Sequence, residues 1–341
     1  MKKKIISMLL MASMVLLTAC SGKGEAKNGG EKQETTKSAE ESTATKSQQN
    51  VSVVTGPTGG SMFVMSASWS DFINKYSDFV QITNQVGGGS AYCVNVLSNG
   101  EADFAMVGND VAYYAMTGQG DFEGNAFEDI RCIGALYAEG FHVITRKDSG
   151  ITNIDQILSD NASVTVGPPG SGTLTNSARV LEAYGTTIDD TNSKQLDWQE
   201  SADAIKDGHI DAAFYMTGVP YGLVSDISVT QPILAFGLEK DIIDSLHEKY
   251  PFLVPITYPA DSYEGSPEFD TVCVRMLITT TEDMDEDTVY EVTKILYENL
   301  EEIADTHSCG STITKDALTE GLAVPLHPGA EKYYKEVGAI E

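Results

Sequence analysis

Three times in this chain a short strand-like run breaks into a glycine-rich turn and then into a helical pattern, and no other feature restricts the fold as much. The clearest copy is Ser163-Val-Thr-Val-Gly-Pro-Pro-Gly-Ser-Gly-Thr173, which leads into Leu174-Thr-Asn-Ser-Ala-Arg-Val-Leu-Glu-Ala183. Ser171 and Thr173 stand where such a helix takes its N-cap. Thr55-Gly-Pro-Thr-Gly-Gly-Ser-Met-Phe63 follows Val51-Ser-Val-Val54 in the same way, and Gln81-Ile-Thr-Asn-Gln-Val-Gly-Gly-Gly-Ser90 is the third copy. The first N–H groups of a helix have no internal partner, and glycine lets a ligand come close to the backbone, so each turn suits a carboxylate or a phosphate. Three such turns predict two faces closing on one small anion.

Strand-like runs near 51–54, 79–83, 103–107, 132–145, 164–167, 195–198, 212–216 and 233–236 alternate with amphipathic segments. That alternation predicts an α/β fold of parallel sheets covered by helices, with ligands at the carboxyl ends of the strands, where all three glycine turns fall. The long run Ile130–Arg146 has no turn signal except Gly140 and reads as a crossover from one lobe into another; Phe269–Thr279 reads as the return strand. The expected organisation is lobe I at 51–140 plus 272–341 and lobe II at 141–271, joined by a two-strand hinge. The 291 residues after position 50 are enough for two cores.

Ahead of this body, Lys2, Lys3 and Lys4 precede the apolar run Ile5–Leu17 and then Leu17-Thr-Ala-Cys20. An apolar run of about 13 residues is short for a membrane span, which needs ~20. The pattern predicts a lipoprotein signal peptide at 1–19, cleaved before Cys20, whose sulfur takes lipid and holds the mature protein on the outer face of a membrane. Residues 20–50 then form the lipidated cysteine and a polar tether, with nothing apolar larger than alanine after Cys20 to offset ordering entropy.

The chain has 22 basic and 50 acidic residues, of which eight and five precede residue 51, so the body carries 14 against 45. Such an acidic body is no nucleic-acid binder. It sits less easily with an anionic ligand. Surface charge, however, is screened beyond about 8 Å at physiological salt, whereas a helix N-terminus acts at contact distance.

Catalytic patterns are missing. The glycines around Ser171 are not spaced as in a Gly-x-Ser-x-Gly elbow, and no glycine loop carries the lysine of a phosphate-binding loop. Asp283, Asp285 and Asp287 have calcium-loop spacing, but Thr288 and Lys294 stand where glycine and glutamate are needed. They read instead as acidic residues at the start of a helix whose buried stripe is Val289, Val292, Leu296 and Ile303. Cys93, Cys132, Cys273 and Cys309 lack metal-site spacing and read as buried thiols, with a Cys132–Cys273 disulfide as the alternative if both lie on the crossover strands. No catalytic residue, metal or cofactor is expected.

From residue 51 to the end the chain resembles the TAXI-type solute receptors of TRAP transporters. The resemblance is carried by Gly56-Pro-Thr-Gly-Gly-Ser61, Gly88-Gly-Ser90, Asn99-Gly-Glu-Ala-Asp-Phe104, Asn109-Asp-Val111, Val166-Gly-Pro-Pro-Gly-Ser-Gly-Thr173, Asp207-Gly-His-Ile-Asp-Ala-Ala-Phe214, Gly218-Val-Pro220 and Pro325-Leu-His-Pro-Gly-Ala-Glu-Lys-Tyr-Tyr334. It implies a two-lobed type II periplasmic-binding-protein fold and a monomeric receptor. Such a receptor closes on a small organic anion (glutamate or another amino acid, a dicarboxylate or an oxo-acid) and hands it to sodium-coupled membrane subunits. By position it implies ligand contacts from Gly60, Ser61, Phe63, Gly89, Ser90, Asn109, Asp110, Tyr137, Gly170, Ser171, Gly172, Thr173, Tyr215 and Thr217. Turn geometry for the glycines, helix capping for serine and threonine, and core packing for Tyr137 remain the alternatives. Met62 and Cys93 depart from the family's usual tyrosine and asparagine, which implies a ligand more apolar than glutamate. Arg179, two turns into its helix, is expected to matter little. A receptor of an ABC transporter, a sensor module and an exported enzyme are the other readings.

Overall fold

The computed structural model describes residues 47–58 and 61–341. The expected signal peptide, lipidated Cys20, most of the tether and Gly60 lie outside them. Among the described residues no helix is long and apolar enough to cross a membrane.

Ten strands form one continuous sheet. They are β1 (Gln49–Val54), β2 (Val80–Gln85), β3 (Phe104–Gly108), β4 (Ile130–Arg146), β5 (Val164–Thr165), β6 (Ser193–Lys194), β7 (Ala212–Thr217), β8 (Ile233–Phe236), β9 (Val254–Tyr258) and β10 (Phe269–Thr281). Two strands are much longer than the rest. β4 runs 17 residues and β10 runs 13, and they pair antiparallel from Cys273 opposite Gly140 to Thr281 opposite Ile130, with register shifts at Met276/Leu277 and Ile278/Thr279.

These two strands divide the sheet into halves of the same design. In the first half the order is β2-β1-β3-β10-β4, with β1, β2 and β3 parallel and β10 running against its neighbours. In the second it is β6-β5-β7-β4-β8, with β5, β6 and β7 parallel and β4 the reversed strand. β4 therefore serves both halves, and this is the two-lobed type II periplasmic-binding-protein fold. β10 leaves the second half at Cys273, where it pairs with β9.

Side-chain alternation gives each half two apolar faces. On β3, Phe104 and Met106 join Trp69, Ile73, Val292 and Leu296 on one face, while Ala105 and Val107 join Val94 and Leu97 on the other. The second half repeats this with Phe141, Val143, Val164 and Phe214 against Ile144, Ala213 and Tyr215. Along β4 the core changes halves between Tyr137 and Phe141; along β10 it changes between Val274 and Met276.

Two expectations are corrected, and one strand was not expected. No strand covers 195–198: β6 is Ser193–Lys194, and the Asp197 side chain accepts from the Glu200 N–H in a capping box that starts a helix at Trp198. The Cys132–Cys273 alternative fails, since both are buried free thiols. Cys132 lies on the first-half part of β4 and Cys273 at the far end of β10's pairing, opposite Gly140. β9 had no strand signal because Pro255 interrupts it; β9 pairs with β10 alone, so the missing N–H costs little. The acidic run does start a helix, Glu286–Glu298, with Asp285 as N-cap.

Candidate functional site

The parallel strands of each half end in turns at one edge of that half, and the two sets run in opposite directions. β1 leads into α1 (Ser61–Tyr76), β2 into α2 (Ser90–Ser98) and β3 into α3 (Asn109–Thr117); α4 (Ile154–Ser159) precedes β5, which leads into α5 (Gly172–Ala183). The first-half turns are tied together. The Thr55 N–H donates to the Gln85 carbonyl, the Cys93 thiol donates to the Thr55 carbonyl (3.2 Å), and the Gly108 N–H donates to the Ser90 hydroxyl (3.0 Å).

Across from them, the loop after β5 has Ser171 as the N-cap of α5, its Oγ accepting from the Leu174 N–H at 3.1 Å. Thr173 is no cap. It is buried inside the first turn, and its hydroxyl accepts from the Met216 N–H at 3.3 Å, which fixes the helix to β7. The N–H groups of Gly170, Gly172 and Thr173 donate to no described residue. Gly170 and Gly172 are exposed, and a Cβ on either would meet nothing within 4 Å. The loop is an open set of backbone donors at the positive end of a twelve-residue helix.

The other expected contacts divide by environment. Ser61, Phe63, Gly89 and Ser90 are half-buried. Gly89 has φ of 107° with open space at its Cβ position, and α2 has no side-chain cap. Asn109 is fully committed elsewhere: its Nδ2 donates to the carbonyls of Phe252 (2.8 Å) and Gly321 (2.7 Å), and its Oδ1 accepts from the Arg275 N–H. It is a strut between the halves, its side-chain amide fully engaged. Cys93 is also a core residue, so its place in the family's asparagine position opens no gap toward a ligand. Tyr215 is buried and Thr217 half-buried, and neither hydroxyl has a hydrogen-bond partner among the described residues.

Sequence reasoning undervalued Arg179. It is buried, donates to Asn176 Oδ1 and to the Tyr114 hydroxyl (both 2.8 Å), and stands 3.6 Å from the Asp110 carboxylate. The rings of Tyr250 and Phe252 lie 5.1 and 4.9 Å from the guanidinium carbon. A residue of the second half thus crosses to α3 of the first. Burial pushes the Asp110 carboxyl up, and the charge of Arg179 opposes that rise. Asp110 also accepts from the Val111 N–H within the first turn of α3.

Sequence reasoning missed Glu139 altogether. It is half-buried on β4 at the change of halves, opposite Val274, and its carboxylate accepts from the Tyr137 hydroxyl at 3.1 Å. Burial, with Asp110 nearby, raises its carboxyl to about 7. The available signal was a lone carboxylate inside the apolar run Ile130–Arg146. His142, one strand position past Phe141, is a core histidine instead: its Nδ1 pairs with the Gly140 carbonyl and its Nε2 with the Tyr263 hydroxyl, and burial lowers it to about 4.

Against known proteins, the profile of the NMT1-like family matches residues 53–338. Among similar solved structures, the periplasmic aliphatic sulphonate binding protein SsuA from Escherichia coli shares 12% identity over 85% of this chain and 84% of its own, with a TM-score of 0.45. A Streptococcus mutans structure, described for glutathione import via GshT and a cystine ABC importer, shares 13% over 78% and 98%, at 0.47. The GluR0 ligand-binding core from Nostoc punctiforme, in complex with L-glutamate, shares 11% over 77% and 98%, at 0.45. The family match runs from within β1 to just past the helix Pro328–Glu336, and the chain belongs to the NMT1-like family.

Proposed function

We propose that this chain is an extracytoplasmic solute receptor of a TRAP transporter. Its lobes, 51–140 plus 272–341 and 141–271, close on a small organic anion, which it delivers to the membrane subunits as a lipid-anchored monomer held through Cys20. The observation that carries the reading is the loop after β5, where three backbone N–H groups at the start of α5 donate to no described residue, beside two exposed glycines. Ser171 keeps that loop in shape, Ser61, Phe63, Gly89 and Ser90 supply the opposing wall, and Gly60 belongs with them by its place in the motif. Charged hydrogen bonds from such donors contribute roughly 1.5–3 kcal/mol each, enough to hold a carboxylate without a dedicated cation. The test is reconstitution. Uptake of a bound acid into vesicles containing the membrane subunits should require this protein and a sodium gradient. Uptake that requires ATP instead makes it an ABC receptor, and failure of every small acid to raise its melting temperature ends the receptor reading.

A further inference from the structure

Within that reading, the charges of the cleft narrow the kind of acid that fits. Asp110 has an answering cation in Arg179 at 3.6 Å. Glu139 has none: among the described residues no lysine, arginine or histidine forms an ion pair with it. Beyond the effect of burial, its charge raises three weak acids, Tyr137 on the same strand, Tyr221 after β7 and Cys309 in the turn Ser308–Thr312, and Asp110 on α3 in turn raises Glu139. Thr217, opposite Gly140 in the next strand, and Tyr215 have hydroxyls without partners among the described residues. A half-buried carboxylate among acids is costly when ionised, and that cost falls when a cation arrives. One lobe therefore offers backbone donors to an anion, while the hinge strand offers a carboxylate that lacks a cation.

We propose that Glu139 receives an ammonium group of the ligand, so the cargo is an amine-bearing carboxylate and not a dicarboxylate or oxo-acid. This rests on the receptor reading above. The tyrosine hydroxyl holds one carboxylate oxygen in place and leaves the other for the ammonium. A second carboxylate placed there would meet both Glu139 and Asp110.

Calorimetry on the full-length chain with matched pairs tests this: L-glutamate against 2-oxoglutarate, L-leucine against 4-methyl-2-oxopentanoate, L-phenylalanine against phenylpyruvate. In at least one pair the amine should bind ten times tighter or more, and Glu139→Gln should weaken that amine by roughly 10- to 100-fold while sparing the oxo-acid. Glutamine still accepts from Tyr137, so the variant keeps the local hydrogen bond. The wild type gives an independent reading: a carboxyl that titrates near 7 is ionised at pH 8 and protonated at pH 6, so the amine's affinity should fall by about tenfold between them. If the oxo-acids bind as well as their amines, or the amine's affinity is indifferent both to Glu139→Gln and to pH, the ammonium assignment is wrong and the receptor survives it. If no member of any pair binds, both readings fall.

Discussion

The loops after β2 and β5 look alike in sequence and are held in different ways. After β2, the backbone is pressed against its neighbour: a Cβ on Gly87 would stand 2.1 Å from the Thr55 carbonyl oxygen. Its helix, α2, has no side-chain cap, and the Ser90 hydroxyl accepts from the Gly108 N–H instead. After β5, the loop is held by its own residues. Ser171 caps α5, Thr173 pins it to β7, and Gly167, at φ of 91°, packs on the Thr173 side chain. Beyond those fixed points, a Cβ on Gly170 or Gly172 would meet nothing within 4 Å. The comparison teaches that glycine does two jobs in such turns, and only space around the Cβ position separates them. Gly87 and Gly167 let the chain pack; Gly170 and Gly172 leave it open.

The largest effect should therefore come from filling a packed position. Gly87→Val forces backbone apart, and we expect a loss of about 4 kcal/mol or more, or no folded protein, by chemical denaturation. A variant as stable as the wild type would mean that the first-half turns are not locked together. Next is the tie between the halves. Arg179→Gln leaves the Asp110 carboxylate buried without its cation and should cost about 3 kcal/mol at pH 8. The carboxyl is already raised by burial, so the loss should shrink as the pH falls and Asp110 takes up a proton; adding Asp110→Asn should recover much of it. A pH-independent loss, or one the double variant does not relieve, would assign the effect to ring packing around the guanidinium. The smallest change in stability should come from Gly172→Val, within about 0.5 kcal/mol, because its side chain enters open space. In the proposed receptor that space is where the carboxylate meets the backbone, so its affinity should fall at least about a hundredfold, the worth of one or two charged hydrogen bonds. Unchanged affinity in a stable Gly172→Val protein would move the anion away from α5.

Much of the fold was legible in the sequence, and the reason is local. The turn at Ser171, the long crossover Ile130–Arg146 and the return strand from Phe269 are each written in consecutive residues, and the structure has an element at each. Of the candidate site, only local geometry was legible, as in the open backbone loop before α5. Asn109 passed for a ligand contact because nothing near it in sequence names Phe252, Gly321 or Arg275 as its partners. Arg179 passed for a minor residue because Asp110 and Tyr114 are more than sixty positions away. Glu139 lay within an apolar run and was read as part of a strand, since strand signals say nothing about whether a cation stands opposite a carboxylate.

The interleaved strand order also dictates when each half of the body can be finished. In the first half β10 lies between β3 and β4, with Leu277 beside Val107 on one edge and Ala135 on the other. Until the segment 269–281 has been made, those two strands have no shared neighbour, and Trp69, Ile133 and Phe104 lack the strand that completes their sheet. The sheet of the second half needs no such late arrival, because β4 through β8 are contiguous in the chain, and β10 reaches only its core, through Val272 and Val274. A chain that emerges amino end first can therefore assemble its later-encoded lobe while the earlier one still waits for a strand, and the crossover β4 is the template on which both are built.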